Sequence, residues 1–404
     1  MKTVAIIAEY NPFHTGHEYH INKIREEFGN DTRIIAIMSG NYTQRGDVAI
    51  MDKFARAKSA VLCGVNLVLE LPFPFSSSSA EFFAKSGVKI ADSLGVVDYL
   101  SFGSESGDVS LLSAVSENMA KDIYKSSLLE AQKSEKNKDL GYPRLCEMVY
   151  NRLFGTNEKI EFTPNNILAI EYIKALLELN SNVKPHTVKR AGASFDTAEI
   201  TEDAHQSAGA IRACMFDDFK SALKYVPKST KNILVEEHEK GHLPCDAERI
   251  SSAIICNFRL TPTPMNSDLQ DLGGGLYNRL RSASFEASTI NKLTELTDTK
   301  KYTTARIKRA IWNSFFGVTS SFVKDLPCYT QVLGMDEIGK TILKEIKKVS
   351  DFPVVTKPSA FSFLDKTAME QKLLCDVADS VFQLTKPVSP SGNLALKTTP
   401  FIVK

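Results

Sequence analysis

No two of the seven cysteines have CxxC spacing, which argues against a zinc ribbon. Their odd number and wide scatter suit reduced thiols better than a disulfide framework. Long apolar runs are also missing. The longest, Ser59 to Leu69, is about half of the roughly 20 residues a membrane span needs, and it contains Asn66. The apolar start at Val4–Ala8 is interrupted by Glu9, Asn11 and His14 too early for a signal-peptide core. A cytoplasmic protein is therefore expected. There is no internal repeat, no long low-complexity tract and no excess of one charge: the formal net charge is +1. Near-neutrality argues against a wholly basic nucleic-acid binder but permits a local basic patch. With 43% hydrophobic residues the chain is not mostly disordered, and 404 residues exceed what one core usually serves.

What is present is an alternation. Val4–Ala8, Ile34–Met38, Leu67–Leu71 and Asp98–Phe102 read as buried strands. Between them, His17–Phe28, Asp52–Cys63 and Ala80–Leu94 carry apolar residues at helical spacing. Continuous apolar strands alternating with helices predict α/β architecture, a Rossmann-like doubly wound parallel sheet. Residues 109–140 read as one long exposed helix and a loop. Helices are expected over 141–154, from Pro164, and over 206–215, with a strand at 185–189. Beyond about residue 225 the periods are mainly helical: 247–258, 269–281, 289–296, 304–316 and 335–349, with loops at Pro262 and Pro264 and at Pro353 and Pro358. Residues 1–225 are thus expected to form a nucleotide-binding domain and 226–404 a mostly α-helical region.

The most informative segment is Ile7-Ala8-Glu9-Tyr10-Asn11-Pro12-Phe13-His14-Thr15-Gly16-His17-Glu18-Tyr19-His20. It follows the first strand and opens the first helix. That corner is the carboxyl end of a strand, where doubly wound sheets bind ligands. A helix N-terminus there offers N–H groups and a positive dipole end to an anion. His14 and His17, at i and i+3, can both face that anion, and Gly16 lets a ligand approach the backbone. This chemistry points to phosphoryl or nucleotidyl transfer, with His14 and His17 as the candidate catalytic residues. The same two histidines with His20 could instead share a metal ion, but no carboxylate or cysteine stands at matching spacing. From its spacing alone His20 reads as a helix-surface residue. Gly103, ending the fourth strand, reaches the same sheet edge. Asn165 and Asn166 at a helix start offer amides to a ribose or base, or serve only as a cap. Arg190 follows the last strand and suits a phosphate or a surface ion pair. Gln44 and Arg45, in the loop after the second strand, suit either substrate contact or solvent.

The element His14-Thr15-Gly16-His17 resembles the HxGH signature of the nucleotidyltransferase superfamily. The longer string Ile6–His17 (IIAEYNPFHTGH) is similar to that of the bacterial tRNA(Met) cytidine acetate ligase family. So are Met38–Gly46 (MSGNYTQRG), Phe102–Asp108 (FGSESGD), Pro164–Leu168 (PNNIL) with Glu171 and Tyr172, Lys189–Gly192 (KRAG) and Tyr302–Arg309 (YTTARIKR). The resemblance implies that ATP and acetate form acetyl-adenylate, and that the acetyl group passes to N4 of the wobble cytidine of elongator tRNA(Met). It implies ATP contacts over residues 7–20 and at Gly103, Asn165, Asn166 and Arg190. His14 and His17 become the first candidates for the cations that pyrophosphate needs. Ser207–Arg212 resembles the superfamily's second phosphate motif, which would set Ser207 and Arg212 over the β- and γ-phosphates. Mg²⁺ is expected with ATP, and no protein metal site is expected. The basic cluster with Arg306, Lys308 and Arg309 is expected to bind tRNA phosphates. Two rivals are a nucleotidyltransferase for a small phosphorylated metabolite and a catalytically silent RNA-binding protein.

Overall fold

Thr3–Ala8 (β1) alternates its side chains between two apolar surfaces, which is what a strand covered on both faces requires. Val4 and Ile6 pack with Ile21 and Ile24 of α1 (Thr15–Phe28) on one face. Ala5 and Ile7 pack with Phe83, Ala84 and Val88 on the other. The computed structural model describes residues 1–137, 140–155, 160–190, 206–261 and 268–403. Ala191 and Gly192 of the KRAG string and the loop prolines Pro262 and Pro264 lie outside them.

After α1 come β2 (Arg33–Ser39), α2 (Lys53–Leu62), β3 (Leu67–Leu71), α3 (Ala80–Ser93) and β4 (Tyr99–Ser104). Next are α4 (Val109–Ala120), α5 (Asp122–Lys133), α6 (Tyr142–Phe154), α7 (Pro164–Glu178), β5 (Lys184–Lys189) and α8 (Ala208–Asp217). The later chain forms α9 (Phe219–Ala222), α10 (Lys228–Glu239), α11 (Ser251–Leu260), α12 (Leu276–Ser284), α13 (Ile290–Thr297), α14 (Thr304–Phe316) and α15 (Ser320–Lys324). It ends with β6 (Thr330–Met335), α16 (Glu337–Val349), β7 (Val354–Val355), α17 (Lys366–Phe382), α18 (Leu394–Lys397) and β8 (Phe401–Ile402).

The sheet runs β5-β4-β1-β2-β3-β6-β7, with β8 also paired to β6. From β5 to β3 all neighbours are parallel; β6 joins β3 antiparallel. The chain moves outward from β1 first to β2 and β3, then returns to place β4 on the other side. The crevice between β1 and β4 is therefore the switch point, the ligand position of this architecture.

Two local expectations are corrected and a third is supplemented. Residues 109–140 are not one exposed helix but two, α4 and α5. Leu112, Val115 and Met119, and then Tyr124, Leu128 and Ala131, are buried. That apolar face was masked by the lysines around it. The helix expected from 269 starts at Leu276, because Gly274 and Gly275 adopt φ of +74° and +91°, which a right-handed helix does not accept. The helical region also lends β6, β7 and β8 to the sheet. β6 is only six residues long and is flanked by helical periods, so its alternation was not distinctive.

A buried ionic cluster joins the late helix α17 to the sheet. Lys53 Nζ lies 2.6 Å from Glu70 Oε1 and 2.5 Å from Asp379 Oδ2. Asn41 Nδ2 donates to Asp379 Oδ1 at 2.8 Å. Lys386 Nζ pairs with Asp52 beside it.

Candidate active site

The carboxyl ends of β1 and β4 open into a cavity of about 400 Å³, bounded by α1, α7 and α8. Of the residues expected there, Ile7, Ala8, Glu9, Tyr10, Asn11, His14, Gly16, His17, Tyr19, His20, Gly103, Asn165, Arg190 and Arg212 line it. Pro12, Phe13, Thr15, Glu18, Asn166 and Ser207 do not.

The two histidines are held by the backbone they cap. His14 is the N-cap of α1, and its Nδ1 accepts from Gly16 N at 3.0 Å. His17 Nδ1 accepts from His14 N at 3.2 Å. The rings stack with centroids 3.8 Å apart. An imidazole that accepts at Nδ1 is in the neutral tautomer with its hydrogen on Nε2. Burial, reinforced by His14, Arg190 and His20, holds His17 well below its usual pKa. The expectation of His17 as a cation is therefore corrected: it is a neutral hydrogen-bond donor. A Cβ at residue 16 would sit 2.9 Å from His14 Cε1, so glycine is required for the ring's position.

His20 is not an ordinary surface residue. Its Nε2 is 2.7 Å from Ser101 Oγ, which is 2.9 Å from His186 Nδ1. Burial, with the charges of His186 and Arg190, pushes its pKa down to about 3. With His20 bound to Ser101 and both other Nδ1 atoms taken by backbone N–H groups, the metal reading of the triplet has no support. Elsewhere, Glu70, Cys375 and Asp379 converge closely enough for a metal, but Lys53 Nζ pairs with both of these carboxylates.

The opposite wall separates the two asparagines. Asn165 Nδ2 donates to Glu105 Oε1 at 2.6 Å, and its Oδ1 accepts from Arg190 Nη1 at 3.4 Å. Asn166 instead accepts from the backbone N–H groups of Glu105 and Ser106, fixing the turn after β4. Burial depresses the Arg190 pKa, opposed by Glu105, and the guanidinium remains a cation. A Cβ at Gly103 would come 3.3 Å from Arg190 Cγ, so Gly103 gives this arginine room. Ser207 caps α8 through Ala210 N, and Arg212 Nη1 donates to Asn11 O at 2.9 Å.

With that geometry established, kinship is decisive. The family described as HIGH Nucleotidyl Transferase matches residues 1–393. The tRNA(Met) cytidine acetate ligase of Thermoanaerobacter sp. (strain X514) is 38% identical over 92% of this chain and 93% of its own length. That of Acetivibrio thermocellus is 35% identical over 93% of both. The crystal structure of Thermotoga maritima TmcAL bound with alpha-thio ATP superposes with a TM-score of 0.90 at 31% identity, covering 100% of this chain and 99% of that one.

The chain belongs to the tRNA(Met) cytidine acetate ligase family of HIGH nucleotidyltransferases.

Within this ligase-family fold, the cavity wall also includes Phe83, which gave no sequence signal, and residues that appeared only within the family-like strings or as open alternatives. Phe83, Phe102, Leu168 and Tyr172 line the cavity, yet their spacing is that of any core residue. Gln44, Arg45 and Asp47 also line it, from the loop after β2. Gln44 N donates to Glu9 Oε1 at 2.9 Å. Burial raises the Glu9 pKa, against that bond.

The basic helix α14 holds this loop. Lys308 Nζ is 2.6 Å from Asp47 Oδ1, and Trp312 Nε1 donates to Gly46 O at 2.7 Å. Arg309 is buried; its Nε pairs with Asp271 at 2.9 Å and its Nη1 reaches Gln44 O at 3.4 Å. Arg306 donates to the carbonyls of Asp271 and Gly273. The expectation of Arg309 as a phosphate contact is thus corrected, since its guanidinium is enclosed. Arg309→Ala is expected to lower stability by about 1–3 kcal/mol in urea unfolding. The salt dependence of tRNA binding should stay unchanged, whereas a phosphate contact would reduce that slope.

Proposed function

We propose that this protein is an ATP-dependent ligase that activates acetate as acetyl-adenylate and acetylates N4 of the wobble cytidine of elongator tRNA(Met). The observation that carries the reading is the stacked pair His14 and His17, with neutral donors and fixed tautomers at the β1–β4 switch point, in a chain related to an ATP-binding structure. Acetate attacks the α-phosphate and pyrophosphate leaves. No side-chain nucleophile is needed, so positioning and electrostatics carry the step.

In this reading Gly16 lets the triphosphate approach the start of α1, where backbone N–H groups and the helix dipole receive negative charge. His14 and His17 donate to phosphate oxygens as charge develops. Arg190 supplies the cation that the histidines do not, oriented by Asn165. Asn165 and Gly103 border the nucleoside, and Arg212 stands near the phosphates with Ser207 behind it as the helix cap. Mg²⁺, where it accompanies ATP, takes most of its ligands from phosphate and water, and Glu9 and Asp47 are carboxylates of the cavity wall suited to that shell. Residues 1–225 would carry activation, and 226–404 would meet tRNA, with Arg306 and Lys308 near its phosphates. No helix among the described residues is long and apolar enough to cross a membrane. A tRNA substrate places the work in the cytoplasm.

Isotope exchange between pyrophosphate and ATP tests the reading. Acetate-dependent exchange, followed by N4-acetylcytidine in tRNA nucleosides, is the expected result. Exchange driven only by another acid or phosphate ester would instead indicate a metabolite nucleotidyltransferase. RNA binding without exchange would indicate a silent binder.

A further inference from the structure

A second cavity, of about 240 Å³, adjoins the first. The two share Asp47, from the loop after β2, and Arg212, from α8. Helix α8 runs along both. Ala208 and Gly209 line the first cavity, while Ala213 and Phe216, one turn further on, line the second. Phe216 is a large apolar side chain left 52% exposed at this opening. The exposed Asn291 also lines it, at the start of α13. The shared wall carries the pair Lys308–Asp47, and Trp312 closes the wall behind.

This arrangement answers a geometric need of the reaction. Acetyl-adenylate is formed in the first cavity, and the amine that takes its acetyl group must reach it from another direction. An enzyme that modifies a base draws that base out of its stack into a pocket with an aromatic platform and polar edges. We propose that the second cavity receives the acceptor pyrimidine, stacked on Phe216, with its exocyclic amine directed across the shared wall toward the acyl-adenylate. Asn291 offers an amide donor to the ring's acceptor edge. The amine nitrogen forms the new bond to the acetyl carbon. The bond from that carbon to the phosphate oxygen breaks, and AMP leaves with the electron pair. The proton lost from the amine leaves to solvent water at the opening of the cavity, and the Asp47–Lys308 pair only fixes the shared wall.

The proposal rests on the ligase reading, and the two fail differently. Ala213 and Phe216 are both exposed, so their substitution leaves the core intact. Ala213→Trp fills the second cavity, and Phe216→Ala removes the platform. Both are tested with full-length protein, ATP, acetate and tRNA(Met) transcript. Each variant is expected to keep acetate-dependent ATP–pyrophosphate exchange at the wild-type rate. Acetyl transfer to tRNA should slow by about tenfold or more. Transfer at the wild-type rate in both variants overturns the proposal. So does an equal fall in exchange and transfer, which would make this cavity part of the ATP site. Absence of exchange in the wild type overturns the ligase reading, and this proposal with it.

Discussion

His17→Ala is expected to reduce acetate-dependent ATP–pyrophosphate exchange by about two to three orders of magnitude, the usual cost of losing one preorganised donor to a developing oxyanion. The ring is held in position before the reaction begins. Its Nδ1 is engaged by His14 N, its plane is stacked on His14, and Tyr10 and Phe13 pack against its other sides. No reorganisation is needed when charge grows on the phosphates. His17→Gln, which keeps an N–H donor at similar reach, should recover part of the rate. A glutamine variant as inactive as the alanine one would argue against hydrogen-bond donation.

The protonation state gives an independent test. If the imidazole acted as a cation with an ordinary pKa, exchange would rise as pH falls through about 6.5. Burial and the neighbouring His14, Arg190 and His20 lower the His17 pKa, so the ring is already neutral at and above that range. The wild-type rate should therefore show no acid-side rise between pH 8 and pH 6, once ATP and metal speciation are controlled. A rise that His17→Gln abolished would restore the cationic role. Arg190 is the fixed positive charge of the wall and does not titrate in this window.

Much of this was legible in the residues. β1 to β4 announce themselves because strands buried on both faces must be continuously apolar, and α1 because its cap and first turn carry the HxGH element. The corner between β1 and α1 was legible for the same reason: a switch-point loop combines a helix N-terminus, a glycine and polar side chains in one short string. Arg309 shows where such reasoning ends. Three residues of like charge on a helix look like a nucleic-acid face, but Asp271 and Asp47, the partners that claim Arg309 and Lys308, lie 38 and 261 positions away. Burial of a charge depends on tertiary pairing, which local period does not encode. Phe83 and Tyr172 show the converse: a cavity wall and a core use the same apolar residues at the same spacing.

Lys53→Met should be the most destabilising of the substitutions considered, by about 3–5 kcal/mol near pH 7.5, the cost of orphaning a buried ionic partner. That is a large share of the stability of an ordinary domain. Lys53, Glu70 and Asp379 are all buried, at 2%, 1% and 3% exposure. Burial pushes the Asp379 carboxyl up to about 6 even with the lysine present, and nearby Glu70 adds to the rise while Lys53 opposes it. Without Lys53 its strongest opposing charge is gone, and the orphaned Asp379 carboxyl is driven further toward its neutral form. The folded variant then binds protons between about pH 5 and 7 that the unfolded chain, with ordinary carboxyl pKa values, releases. Its stability must therefore rise as pH falls through that interval, and its deficit against the wild type must shrink. Urea unfolding of both proteins at pH 7.5 and pH 5.5 measures this directly. A deficit that is equal at the two pH values would mean that Lys53 acts through packing and not through its charge. Because Asp379 lies on α17 and Lys53 on α2, the same experiment reports whether the late helices are coupled to the sheet: a single unfolding transition that shifts as a whole is expected, and a separate early transition of the helical region would show that the cluster does not join them.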